Sequence, residues 1–348
     1  MEKMKDYKLR NSISHKDSQY FYRNFPILGM PDEQRAIKYF SLNPFLPDKK
    51  NRCPLACAYC VCHEDDEWHH HPERFDGLDL PSHLLDFALE KILETKEGTA
   101  GFPISLCDYS DPFIEPHQQR VVDIFKTLGM LGANNMIYIT TKYHPGYDYL
   151  VNIKKLFDKY PKLRPTVFVS LPPLKPGYEV VSIERRIQLI KDLVALDIPC
   201  TWYLRPLTKE WFDEDLMWRL TRELLPVVPE HIILSGLVMT DTIAHELSNN
   251  GLSVPQWQAD QAGIKQNLEP EFEKHLRHIL STVAEEQAQT LGPVMGHRLC
   301  GTNGNYGYGC LICGKSDRYC QLFQIHHYGH EIENAEKKLI IPTKTVEE

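Results

Sequence analysis

At 348 residues the chain is long for one domain and short for three, so one large domain with a small appendage is expected. Its hydrophobic fraction of 42% and charged fraction of 25% are globular values and exclude a disordered or fibrous chain. A net charge of −8, from 39 basic and 47 acidic residues, weighs against a duplex-DNA or RNA partner, because such proteins usually carry a basic face.

The first residues, Met1-Glu2-Lys3-Met4-Lys5-Asp6-Tyr7, carry no apolar signal-peptide region. No run of about 18 apolar residues exists, so no membrane span is expected. A cytoplasmic protein follows as the expectation. The ten cysteines are then not a disulfide framework. They cluster around position 57 and between 300 and 320, which points to metal.

In chain order, residues 1–35 form an N-terminal extension. From 36 to 250, β-rich runs alternate with helical spacing. The runs are Ile37–Leu42, Phe102–Cys107, Met136–Thr140, Thr166–Leu171, Cys200–Leu204 and His231–Ser235. Leu84, Leu85, Ala88, Ile92 and Leu93 make one helical stripe, opened by Pro81 and closed near Gly98. Val121, Ile124, Phe125 and Leu128 make a second. Leu150, Ile153, Leu156 and Phe157 make a third; Ile187, Ile190, Leu193 and Val194 a fourth. Phe212, Leu216, Leu220 and Leu224 make a fifth, and a weaker helix runs through Thr242–Leu247.

After about Leu252 the composition changes, and residues 251–330 read as a small cysteine-rich region. A helix is expected over Glu271–Gln289, with Phe272, Leu276, Ile279 and Val283 on one stripe. The segment 301–309 is rich in glycine and turns, and 331–348 is a polar tail. No internal repeat appears beyond the βα period.

Six βα units in a row imply an α/β fold, with a parallel sheet and helices outside. Right-handed crossovers would curl it toward a partial (β/α)6 barrel. In such barrels chemistry sits on loops at the carboxyl ends of the strands. The loop Cys53-Pro54-Leu55-Ala56-Cys57-Ala58-Tyr59-Cys60 follows the first of these strands, so it belongs to that face.

Cys53, Cys57 and Cys60 offer three thiolates from one short loop, in C-x3-C-x2-C spacing. Three thiolates can hold three irons of a [4Fe–4S] cube and leave the fourth iron open to a substrate. A zinc site is the alternative, with Cys62, His63, His69, His70 or His71 as fourth ligand. The His69–His71 run beside Trp68 reads more simply as a solvated loop. Cys300, Cys310, Cys313 and Cys320 form a second set, C-x9-C-x2-C-x6-C. Four soft ligands can close around zinc or a second iron–sulfur cluster, and spacing alone does not choose. His326, His327 and His330 lie near, but four cysteines suffice.

By its three-cysteine loop with Tyr59 before the last cysteine, the chain resembles the radical S-adenosylmethionine superfamily. The stretch Asp108-Tyr109-Ser110-Asp111-Pro112, with Ile139-Thr140-Thr141-Lys142 and Val167-Phe168-Val169-Ser170, resembles the spore photoproduct lyase-like branch over the barrel. The usual Gly-Gly-Glu run of the superfamily is missing. The resemblance implies a partial (β/α)6 barrel, a cluster held by Cys53, Cys57 and Cys60, and S-adenosylmethionine as co-substrate. Reductive cleavage would give a 5′-deoxyadenosyl radical that abstracts a substrate hydrogen. Ser110 and Asp111 are implied at the amino group, Ser170 at the ribose or carboxylate and Tyr59 at the adenine, with Asp108 also among the cofactor-binding residues. Arg205 could pair with the carboxylate through its planar fork, and Lys142 could serve instead or touch substrate. Cys107 could donate a hydrogen atom to a product radical; a buried small hydrophobe is the simpler reading. The C-terminal set departs from SPASM and twitch spacings, and an auxiliary cluster is the expectation for it.

The leading expectation is therefore an enzyme tailoring a ribosomally made peptide or a small metabolite. It would use a reductant such as flavodoxin or ferredoxin. No segment resembles a complete leader-recognition domain, so a peptide substrate would call for a separate recognition protein. Three alternatives stand beside it: an epimerase, dehydrogenase or sulfur-inserting enzyme on a sugar or nucleoside; a DNA photoproduct lyase; and a zinc-bound structural protein.

Overall fold

The computed structural model describes residues 27–28, 39–42, 53, 55, 57–60, 104–107, 110–227, 231–257, 268–291 and 298–300. Their strands form one sheet in unbroken chain order. They are β1 (Ile27–Leu28), β2 (Tyr39–Leu42), β3 (Ile104–Leu106), β4 (Met136–Thr141), β5 (Arg164–Ser170), β6 (Cys200–Leu207), β7 (His231–Gly236) and β8 (Arg298–Cys300). β1 is antiparallel to β2, and β2 to β8 are parallel throughout. Between them run α1 (Glu115–Met130), α2 (Tyr147–Lys159), α3 (Ile183–Ala195) and α4 (Glu214–Leu224), one per crossover from β3 to β7. Two more, α5 (Asp241–Asn249) and α6 (Pro270–Leu291), separate β7 from β8. The fold is α/β, a parallel sheet interleaved with helices.

Alternation along each strand divides the sheet into two faces. Ile137, Ile139, Val167, Val169, Trp202, Leu204, Ile232 and Leu234 share one apolar cluster with the stripes of α1 to α4 and α6. The alternate positions Tyr138, Phe168 and Tyr203 meet edge to face on the other side, at 6.5 and 5.9 Å between centroids. An order that never reverses, with crossovers of one hand, leaves the helices on a single face. The helix starts follow local chemistry. The side chains of Ser182, Asp213 and Thr240 accept the backbone N–H of Arg185, Leu216 and Ile243, and each such cap stabilises by about 1 kcal/mol.

The six expected strands all form, with ends shifted by one to three residues. The stripe expected on α3 needs correction. Val194 is exposed, and the charged Arg186 takes a fully buried place beside Ile187 and Ile190. Phe212, expected within the fifth helix, precedes it and packs against Phe272 of α6. The sheet also reaches past 36–250 at both ends, through β1 and β8, and Leu276, Ile279 and Val283 of α6 lie in the same core as α1 to α4. The helix expected at 84–93, the Gly-rich 301–309 and the tail 331–348 lie outside the described residues. Among the described residues no helix is long and apolar enough to cross a membrane.

Candidate functional site

The register brings the carboxyl ends of the central strands to one edge: Leu42 pairs with Leu106, Leu106 with Ile139, Thr141 with Val169, and Ser170 with Tyr203. A second apolar cluster covers this edge and holds the cysteine loop. Leu55, Cys57 and Tyr59 pack there with Ile114, Leu174 and Trp211. Trp211 stacks on Tyr178 at 4.7 Å and meets the Tyr59 ring at 5.8 Å. The loop itself turns tightly, with Cys60 N–H donating to the Cys57 carbonyl at 2.9 Å.

Burial pushes the Cys53 thiol up, and hydrogen bonds from the N–H groups of Leu55 and Asp111 and from the Ser110 hydroxyl pull it back. Donors aimed at a sulfur favour its charged form. Burial also raises Cys57, against the attraction of the Lys142 ammonium; Glu179, Cys60 and Cys53 raise it further. Cys53 and Cys60 are thus close enough to Cys57 for their charges to act on it. Among the described residues no three His, Cys, Asp or Glu side chains are arranged to hold a metal ion. A single zinc would draw its thiolates to about 2.3 Å from itself, whereas a cubane gives each thiolate a separate iron.

Lys142, the residue after β4, reaches back over the loop. Its Nζ is 3.5 Å from Cys57 Sγ, donates to Tyr59 OH, and lies 3.3 Å from both Glu179 oxygens. The Tyr59 hydroxyl in turn donates to Glu179 Oε1 at 2.5 Å. Arg186, reaching in from α3, lies 3.4 Å from the same oxygen and donates to the Ser170 carbonyl at 3.1 Å. Its Nε and Nη2 are buried and find no hydrogen-bond partner among the described residues. Burial would raise Glu179, but Lys142 and Arg186 hold its carboxyl below the ordinary range. Burial works against the Lys142 ammonium, yet Glu179 and Cys57 carry it above its ordinary value.

The Asp111 carboxylate is already engaged on both oxygens. Oδ1 accepts from Phe113 N–H at 2.9 Å and Thr141 Oγ1 at 2.7 Å; Oδ2 accepts from the N–H groups of Lys142 at 2.7 Å and Tyr143 at 3.2 Å. These four bonds fill its acceptor positions, so Asp111 ties the end of β3 to the end of β4 and does not present a free carboxylate. Ser110 faces Cys53 and lies 3.3 Å from His117 Nδ1. Ser170 Oγ donates to the Arg205 carbonyl at 2.8 Å, and Arg205 Nη1 donates to Tyr203 OH at 3.2 Å.

Cys53, Cys57, Cys60, Tyr59, Ser110, Asp111, Lys142, Ser170 and Arg205 thus lie along one connected polar chain. The Cys107 carbonyl accepts from the Ser110 N–H at 3.3 Å, but its side chain belongs to the core shared with the helices. Cys107 follows β3 with a left-handed φ of 62° and sits in that core near Tyr149. Cys300 ends β8 at the same carboxyl edge. Asp108, Cys62, His63, His69, His70, His71, Cys310, Cys313 and Cys320 lie outside the described residues. Sequence reasoning missed Glu179, Arg186 and Thr141. Arg186 did leave a trace, as a charged residue three beyond Ile183 and four before Ile190 on an apolar stripe. No protein-family model matches this chain, and no curated protein sequence matches it.

Proposed function

We propose that the chain is a radical S-adenosylmethionine enzyme built on a partial (β/α)6 barrel. The observation that carries this reading is the gathering of Cys53, Cys57 and Cys60 at the carboxyl edge of a parallel sheet, under an apolar cover and against donors to sulfur. That donor set fits a [4Fe–4S] cluster with one iron per thiolate. When bound, such a cluster supplies the electron that cleaves S-adenosylmethionine to a 5′-deoxyadenosyl radical able to abstract a substrate hydrogen. The chain's part is to hold the irons through the three cysteines and to keep the loop dry through Trp211, Tyr178 and Leu174. Ser170 and Arg205, linked to each other at adjoining strands, would orient the nucleoside. Electrons would come from a flavodoxin or ferredoxin. A peptide or small metabolite would be the substrate, with a separate recognition protein for a peptide. Cys300, Cys310, Cys313 and Cys320 would hold an auxiliary cluster.

Anaerobic purification and reduction test this directly. The expected protein is brown, with about four irons, or about eight if the C-terminal cysteines also hold a cubane. It should form 5′-deoxyadenosine from S-adenosylmethionine, and its reduced EPR signal should change when that compound is added. Cys57→Ala should abolish the product. A signal indifferent to S-adenosylmethionine, or product undiminished in Cys57→Ala, overturns the reading.

A further inference from the structure

The charges packed around Tyr59 and Glu179, beside Cys57, are unequal. Two cations, Lys142 and Arg186, face one carboxylate, Glu179; their side chains are 14%, 0% and 10% exposed respectively. Tyr59 lies between Lys142 and Glu179, and a phenol is neutral at ordinary pH. The other carboxylate nearby, Asp111, acts on the Cys53 side, with both oxygens filled by four donors. The Lys142 ammonium has three N–H bonds, and the Cys57 sulfur, the Tyr59 hydroxyl and the Glu179 carboxylate account for them. It therefore has no donor left for a further ligand. An uncompensated buried charge is costly, and the Cys57 sulfur, 3.5 Å from the Lys142 ammonium, is a group able to balance it.

We infer that Lys142 is a positioning residue for the cluster held by Cys53, Cys57 and Cys60, with Tyr59 and Glu179 fixing its ammonium against the Cys57 sulfur. The inference rests on the proposed cluster. Three thiolates make a bound cubane negative overall, and taking up one electron makes it more so. A fixed cation at a ligand sulfur stabilises the reduced state, and in a buried site salt screens it little. Glu179 has the opposite sign and opposes reduction. Lys142 and Glu179 thus set the reduction potential in opposite directions.

Potentiometric titration of the reconstituted protein against a low-potential chemical reductant, followed by EPR, reads this effect. The Lys142→Met midpoint should fall below wild type, and the Glu179→Gln midpoint should rise above it. A purely structural role would move both the same way or neither, and either result overturns the inference even where the wild-type signal still responds to S-adenosylmethionine. If Lys142→Met fails to hold a cluster, Glu179→Gln decides: a rise supports the inference, and no change or a fall overturns it. A wild-type protein that takes up no iron overturns the cluster reading and the inference with it.

Discussion

Asp111, just past the end of β3, accepts the backbone N–H of Lys142, just past the end of β4, across 2.7 Å. The same carboxylate accepts from Thr141, Tyr143 and Phe113. Burial pushes its carboxyl above the ordinary range, and these bonds limit the rise. Three of the donors are backbone N–H groups with nothing to accept, so the carboxylate is the form that fits.

Asp111→Asn should therefore destabilise the protein with almost no change of volume. Whichever oxygen becomes an NH2, it faces at least one backbone N–H, Phe113 on one side or Lys142 and Tyr143 on the other, and each donor left unmet costs about 1–3 kcal/mol. A total loss of about 2–4 kcal/mol is expected, read as a lower urea midpoint at pH 7 with an unchanged slope. A midpoint equal to wild type would mean that the carboxylate does not hold the two strand ends.

Glu179 predicts a pH dependence with a definite sign. Its folded-state carboxyl lies below the ordinary value of 4.5 because Lys142 and Arg186 outweigh burial. The unfolded state then binds the proton more readily, so the stabilisation is complete above 4.5 and disappears as pH falls through the lower folded value. Lys142, raised above 10.5 by Glu179 and Cys57 against burial, keeps its contribution below that value and loses it only at higher pH. The melting-temperature gap between wild type and Glu179→Gln should be level from pH 6 to 9 and should close below pH 4.5. A gap that widens in acid would reverse the assigned charge states.

The sequence disclosed those parts of the molecule that depend on near neighbours in the chain. Val167 and Val169, alternating with Phe168, announce a strand buried on both faces. Phe272, Leu276, Ile279 and Val283 announce the buried stripe of α6. The cysteine loop needed only its spacing. What stayed hidden depends on residues far apart in the chain. Asp111 and Thr141 are thirty residues apart, and Glu179 stands in a Pro- and Gly-containing loop with no period of its own. β8, with only Arg298, Leu299 and Cys300, is too short to show alternation. Arg186 interrupts the apolar stripe of α3, and because an arginine is ordinarily solvated, spacing alone does not mark it as buried.

Gly129, in the last turn of α1, predicts a departure from helix propensity. Glycine inside a helix usually costs about 1 kcal/mol against alanine. Here a Cβ would stand 2.3 Å from the Tyr160 ring, and Tyr160 packs against the core as a partly buried side chain. Gly129→Ala should thus destabilise by about 1–3 kcal/mol. In a Tyr160→Ala background the same change should become neutral or stabilising. Chemical denaturation of the four proteins of this cycle measures the coupling; equal effects in both backgrounds would remove the contact from the argument.

The cysteines themselves predict a labelling order that bears on chemistry. Cys200 is fully buried, with its thiol pushed up to about 12 by that burial, and Cys107 is 5% exposed in the same helix-facing core. Cys53 and Cys60 are only half-buried. In metal-stripped folded protein at pH 8, iodoacetamide should modify Cys53 and Cys60 before Cys107 and Cys200. Cys107 and Cys200 should react only as fast as the fold opens, since alkylation needs an accessible thiolate. Reconstitution with iron and sulfide should protect Cys53 and Cys60 and leave the other two unchanged. Peptide mass spectrometry over time separates the classes. Native labelling of Cys107 as rapid as that of Cys53 would place its thiol at the open edge of the sheet and restore it as a hydrogen-atom donor; labelling at the rate of Cys200 assigns it to packing.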